Sequence, residues 1–360
     1  MLSIKQRNKM TLGSLNMVMG FSVLMIVFGH CLVAFPDQKQ VMGLRYFIKL
    51  FVDGLLPLFF ILAGYRFKKK PVIATAQKSA RELLIPYLLI TAAVMVIYPI
   101  STKLICGGTW DSVLSSWKNH AVAFGFAMPA PNQTVLGMKS ATCGPAWFFP
   151  ALFWGTTFTN LALQLKKSWQ QSLVVVALVA LGYVLQAKGV FEFSIAHGMI
   201  VSGYFYLGYL MKKGKWLTRD LPVWIAVMVA IVALVEIVFG RFDFAWATYQ
   251  LGVFELVGAA AQALTIIYIF FSLDHISGPI SNGLRKAGRY SFWIICLHAV
   301  ERTCAHYEVF LKWFPKWATW LPGAPYAAVL INFVFSCILL LIGCNILRKI
   351  VEFKHKERNK

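Results

Sequence analysis

The chain is expected to form an all-α, polytopic membrane bundle of about ten transmembrane helices, with both termini cytoplasmic. Three observations predict this. Of the 360 residues, 59% are hydrophobic and only 14% charged, which is too apolar for a soluble domain of this length. The apolar residues gather into long uninterrupted stretches. Lys and Arg crowd into every second gap between those stretches.

The stretches run, in order, over 13–35, 46–67, 83–105, 145–165, 171–187, 190–211, 221–240, 249–273, 289–308 and 325–347. A helix of about 20 mostly apolar residues crosses about 30 Å of hydrocarbon, and nearly all of them reach that length. The fifth is short, which leaves open a buried hairpin with its neighbour. The first follows Lys5, Arg7 and Lys9, as a signal peptide would. Its apolar run is longer than the usual core of about 7–15 residues and no A-x-A-like site closes it, so it is expected to be a retained anchor.

Most of the 35 Lys and Arg lie at the N-terminus, in the even-numbered gaps and in the C-terminal tail. The clusters are Lys68, Lys69, Lys70; Lys212, Lys213, Lys215; and Lys354, Lys356, Arg358, Lys360. Cytoplasmic loops collect such residues, and an even number of spans puts both ends on that side. The net charge of +21 therefore points to anionic lipid headgroups and away from nucleic acid as a partner.

A single domain over 1–360 is expected, with one long extracytoplasmic loop at 106–144. That loop mixes Trp110, Trp117, His120, Phe124 and Phe126 with Gly and Pro. It reads either as an aromatic loop at the headgroup belt or as a re-entrant cap over the bundle. Cys106 and Cys143 both fall in it, where a structural bridge would persist. The seven cysteines contain no C-x-x-C, so no metal is called for. Asn132-Gln133-Thr134 forms a glycosylation sequon there that matters only in a eukaryotic source.

Ionisable side chains within hydrocarbon are costly and mark functional candidates. Here they are His30, Lys49, Asp53, Glu192, His197, Glu236, Glu255, His298, Glu301 and Arg302. His30 ends the run Val27-Phe28-Gly29-His30, about 8 Å below the expected outer boundary. Gly29 would let a helix or ligand approach closely. Histidine exchanges its proton near neutral pH, as a general base must. Lys49 and Asp53 are four apart on one helix face. Asp53 reaches a similar depth to His30, where it would orient the imidazole as the third member of a triad does, or simply neutralise Lys49. His298, Glu301 and Arg302 also share a face, so a second imidazole would meet the same cavity. Glu192, Glu236 and Glu255 receive no role.

Several blocks resemble the acyltransferase 3 family of multi-spanning membrane O-acyltransferases. Gly20-Phe21-Ser22-Val23-Leu24-Met25-Ile26-Val27-Phe28-Gly29-His30 is similar to its opening helix, and Pro57-Leu58-Phe59-Phe60-Ile61-Leu62-Ala63-Gly64-Tyr65 to its second-helix segment. Arg81-Glu82-Leu83-Leu84-Ile85-Pro86-Tyr87 resembles the arginine-led entry to its third helix. Trp147-Phe148-Phe149-Pro150-Ala151-Leu152 and Ser291-Phe292-Trp293-Ile294-Ile295-Cys296-Leu297-His298 match later signatures. The departures are Met19, where family members carry Arg or Lys, Asn16 for a frequent Asp, and Ala63 for Ser. Lys49, Arg66 or Arg302 would have to replace the missing cation.

The resemblance implies transfer of an acyl group, acetyl above all, from acyl-CoA to a hydroxyl of a sugar, glycan or lipid-linked saccharide at the cell membrane. His30, Asp53 and His298 would be catalytic, with His30 as general base or acyl carrier. Arg66, Lys68, Lys69 and Arg81 would hold the acyl-CoA, and Lys49, Glu301, Arg302 and Trp147 would face the acceptor. A homodimer is compatible with this. The alternatives are a small-solute or amino-acid transporter of the same fold, or a catalytically inactive relative.

Overall fold

A computed structural model describes residues 4–218, 222–273, 275 and 277–358. Lys360 of the C-terminal basic cluster lies outside them. The chain folds into helices α1 (Ile4–Val33), α2 (Met42–Lys49), α3 (Val52–Arg66), α4 (Val72–Ser79), α5 (Ile85–Ser101), α6 (Trp110–Gly125), α7 (Phe148–Ala162) and α8 (Ser168–Ala187). They are followed by α9 (Ile195–Lys213), α10 (Val223–Phe239), α11 (Phe254–Ser272), α12 (Pro279–Arg289), α13 (Ser291–Cys304), α14 (Tyr307–Trp317) and α15 (Ala324–Arg358). Two short antiparallel hairpins interrupt them, β1 (Gln133–Val135) with β2 (Met138–Ser140), and β3 (Phe242–Asp243) with β4 (Thr248–Tyr249).

Each of the ten apolar stretches contains a helix. Among the described residues six segments are long and apolar enough to cross a membrane: Gly13–Val33, Lys39–Arg66, Val72–Cys106, Ser168–Ala187, Phe254–Ser272 and Ala324–Lys349. α10 is a shorter apolar helix. The fifth stretch is not a buried hairpin: α8 is 20 residues long and turns most of its surface outward. Nor is the segment after α5 an unstructured loop. α6 lies against α5, with Trp117 Nε1 donating to the Met95 carbonyl at 2.9 Å and Tyr98 Oη 2.7 Å from Ser116 Oγ. Cys106 is exposed and Cys143 buried, and both are free thiols.

Lipid removes most of the hydrophobic drive for helices to associate, so small residues that admit close packing hold such bundles together. Here the glycines set the crossings. A Cβ on Gly64 would lie 1.9 Å from the Phe205 carbonyl oxygen, and one on Gly208 1.8 Å from that of Ile61. α3 and α9 therefore touch backbone to backbone. α1 and α12 do the same, since a Cβ on Gly20 would meet the Leu284 carbonyl oxygen at 1.9 Å and one on Gly288 that of Asn16 at 1.7 Å. α3 is buried along most of its length, from Asp53 to Gly64, and so forms the centre of the bundle.

The second apolar stretch is broken. α2 ends at Lys49 and α3 starts at Val52, which leaves carbonyls without helical partners. Gln262 of α11 repairs the gap: its Nε2 reaches the carbonyls of Lys49 and Leu50 at 3.3 and 3.1 Å, and its Oε1 accepts from the Gly54 N–H. A second irregularity is a π-turn at Ala80–Leu84 just ahead of Pro86. Such a turn re-satisfies a ladder that proline cannot complete.

Candidate active site

α1 and α13 pack against each other, and between them the two singled-out histidines meet. His30 Nδ1 lies 2.8 Å from His298 Nε2, and the rings stack with centroids 5.0 Å apart. His298 Nδ1 lies 2.6 Å from Glu301 Oε2, one helical turn along α13. The other carboxylate oxygen of Glu301 accepts the Tyr307 hydroxyl. His298 is buried, while His30 as a residue is half-buried.

With Glu301 ionised and both imidazoles neutral, the donor and acceptor inventory gives one order of protons along this chain. An ionised Glu301 only accepts, so Tyr307 O–H and His298 Nδ1–H both donate to it. Neutral His298 then presents the lone pair of Nε2, which accepts from His30 Nδ1–H. The remaining lone pair of the series sits on His30 Nε2. A basic nitrogen at the end of a relay anchored by a carboxylate is what a general base or nucleophile requires.

Tyr307 carries no sequence signal. It follows the α13–α14 break, where His306 adopts a left-handed φ of 49°, and periodicity says nothing about a side chain beyond such a break. Arg302 lies within electrostatic reach of His30 and of Glu308, and it makes no ion pair among the described residues.

Other expected participants lie elsewhere. The structure does not hydrogen-bond Asp53 to His30: its carboxylate bonds Lys49, and the carboxylate joined to the imidazole pair is Glu301, through His298. No helix approaches Gly29 closely: a Cβ there would meet Ile48 at an ordinary 3.8 Å. Trp147 is buried with His197 and Phe244, at ring distances of 5.3 and 5.6 Å. His197 is itself tied to the Phe244 carbonyl at 3.0 Å. Both read as packing.

Arg66, Lys68, Lys69 and Arg81 are exposed, at the end of α3 and just before α5. Arg66 Nη2 reaches Asn16 Oδ1 at 3.4 Å. Asn16 and Met19 are neighbours on one face of α1, and Met19 packs against the core. Arg66 thus comes closest to the level of the missing helix-one cation. From Asn16 to His30 the helix is about 21 Å long.

A polytopic membrane protein with a carboxylate-anchored imidazole pair in its bundle belongs to a narrow class. The model of the acyltransferase 3 family, described as an acyltransferase domain, matches residues 12–348. The chain belongs to that family and is a membrane acyltransferase. No curated protein and no solved structure matches it.

Proposed function

We propose that this acyltransferase carries an acyl group, acetyl above all, from acyl-CoA to a hydroxyl of a sugar, glycan or lipid-linked saccharide. The observation that supports the reading is the series Tyr307–Glu301–His298–His30, which ends in a free lone pair on the half-buried residue His30. His30 Nε2 takes the proton of the acceptor hydroxyl as its oxygen bonds to the thioester carbonyl carbon. The C–S bond then breaks, and the coenzyme A thiolate leaves and takes up a proton. In the two-step version the same lone pair attacks first, and the acyl group rests on the imidazole before the hydroxyl collects it. We assign the developing oxyanion to Arg302, the unpaired cation beside His30.

The same reading takes ten crossings with both termini cytoplasmic, in the cell membrane. The exposed Arg66, Lys68, Lys69 and Arg81 then face the phosphates of the donor nucleotide by charge attraction. Purified protein incubated with radiolabelled acetyl-CoA and a saccharide acceptor should transfer label to the acceptor. His30→Ala should stop the transfer, and undiminished transfer by that variant would overturn the assignment.

A further inference from the structure

Among the described residues three acids are buried in the bundle: Asp53, Glu236 and Glu255. Asp53 bonds Lys49. Glu255 is half satisfied: its Oε1 accepts the backbone N–H groups of Arg241 and Leu251 at 2.6 and 3.1 Å, while its Oε2 has no hydrogen-bond partner. Glu236, on α10, is fully buried and neither of its carboxylate oxygens has a hydrogen-bond partner.

The carboxyl sits in a slot made for it by two glycines. A Cβ on Gly240 would lie 2.3 Å from Oε1, and one on Gly258 of α11 would lie 2.6 Å from Oε2. The charged groups within electrostatic reach of it are Asp53 and Lys49 from the α2–α3 break and Glu255 from α11, and it lies within such reach of the Tyr204 phenol of α9. Lys49 is already engaged by Asp53, so among the described residues no further cation is placed against Glu236. An ionised carboxylate that is buried and unpaired is far more costly than its neutral acid. Among the described residues no group of three His, Cys, Asp or Glu converges to hold a metal ion.

We propose that Glu236 is a proton-binding site inside the membrane, separate from the His30 relay and occupied at neutral pH. The ligand class is the proton itself, and Gly240 and Gly258 shape a slot that fits the neutral acid. The site requires nothing of the acyl-transfer reading and survives if that reading fails.

Infrared difference spectroscopy of the full-length protein in detergent tests it. The spectrum of the unaltered protein minus that of Glu236→Gln, at neutral pH, should contain a carboxylic-acid C=O band that shifts in heavy water. Because glutamine closely matches the neutral acid in shape, Glu236→Gln should melt at the same temperature as the unaltered protein. A difference spectrum with only carboxylate bands overturns the proposal, as does a variant that melts earlier or does not fold. An acid band that gives way to a carboxylate band when sodium chloride replaces choline chloride at fixed pH assigns the slot to a metal cation and also overturns it.

Discussion

The His30 relay and the Lys49–Asp53 pair lie on neighbouring helices, at what the sequence suggests is a similar depth, yet they handle charge in opposite ways. Lys49 and Asp53 close on each other, and Gln262 seals the broken helix between them. No reactive atom is left over. In the relay each group hands its hydrogen bond to the next, from Tyr307 through Glu301 and His298, and the last lone pair remains on His30. The contrast teaches that an ionisable residue in a membrane span is not in itself a sign of chemistry. What distinguishes the two regions is whether the final atom of the network is satisfied.

Four substitutions would break or sharpen that distinction. His30→Ala should have the largest effect, abolishing transfer from acetyl-CoA in a radiolabel assay, since general-base catalysis alone contributes about 10²–10⁴-fold. Glu301→Gln should follow with a loss of about 10²-fold in kcat, because the amide no longer holds His298 in the required tautomer. KM for the acceptor should stay nearly constant, and a rise in that KM with kcat intact would instead mark Glu301 as a substrate contact. Tyr307→Phe removes one hydrogen bond to a charged group, worth about 1.5–3 kcal/mol, and should slow kcat by about tenfold or somewhat more.

Asp53→Asn should have the smallest effect on turnover and a clear one on stability. Stranding a charge by deleting one partner of a buried pair costs about 3–5 kcal/mol at full burial, and Lys49 keeps 26% of its side chain exposed, so a lower figure is expected. Thermal melting in detergent should move down while activity per folded molecule holds. If turnover collapses instead, Asp53 belongs to the reaction and the contrast between the two regions is wrong.

Much of the fold was legible because burial in lipid writes itself into the sequence as apolar length. The helix positions follow from that, and so does the choice of His30 and His298 as candidates. Their contact was not legible, since 268 residues separate them. Depth along a helix can be read by counting residues, but the direction around its axis relative to another helix cannot. That is why Asp53, at the right depth, was expected to orient His30 when it faces Lys49. Glu301 was visibly on the face of His298, three residues on, yet nothing local tells an orienting carboxylate from a substrate contact. Glu236 looked isolated because its neighbours Asp53 and Lys49 come from the far end of the chain. Its slot depends on Gly240 and Gly258, whose meaning appears only once α10 and α11 are packed.

The seam between α1 and α12 leaves no slack, because main chain rests on main chain at Gly20 and Gly288. α12 carries Arg285, Lys286 and Arg289, the residue types that adhere to an anionic leaflet. The first helix is therefore fixed against α12 near its base and carries the His30 imidazole about 21 Å beyond Asn16, so the height of that ring is set by packing at the opposite end of the rod.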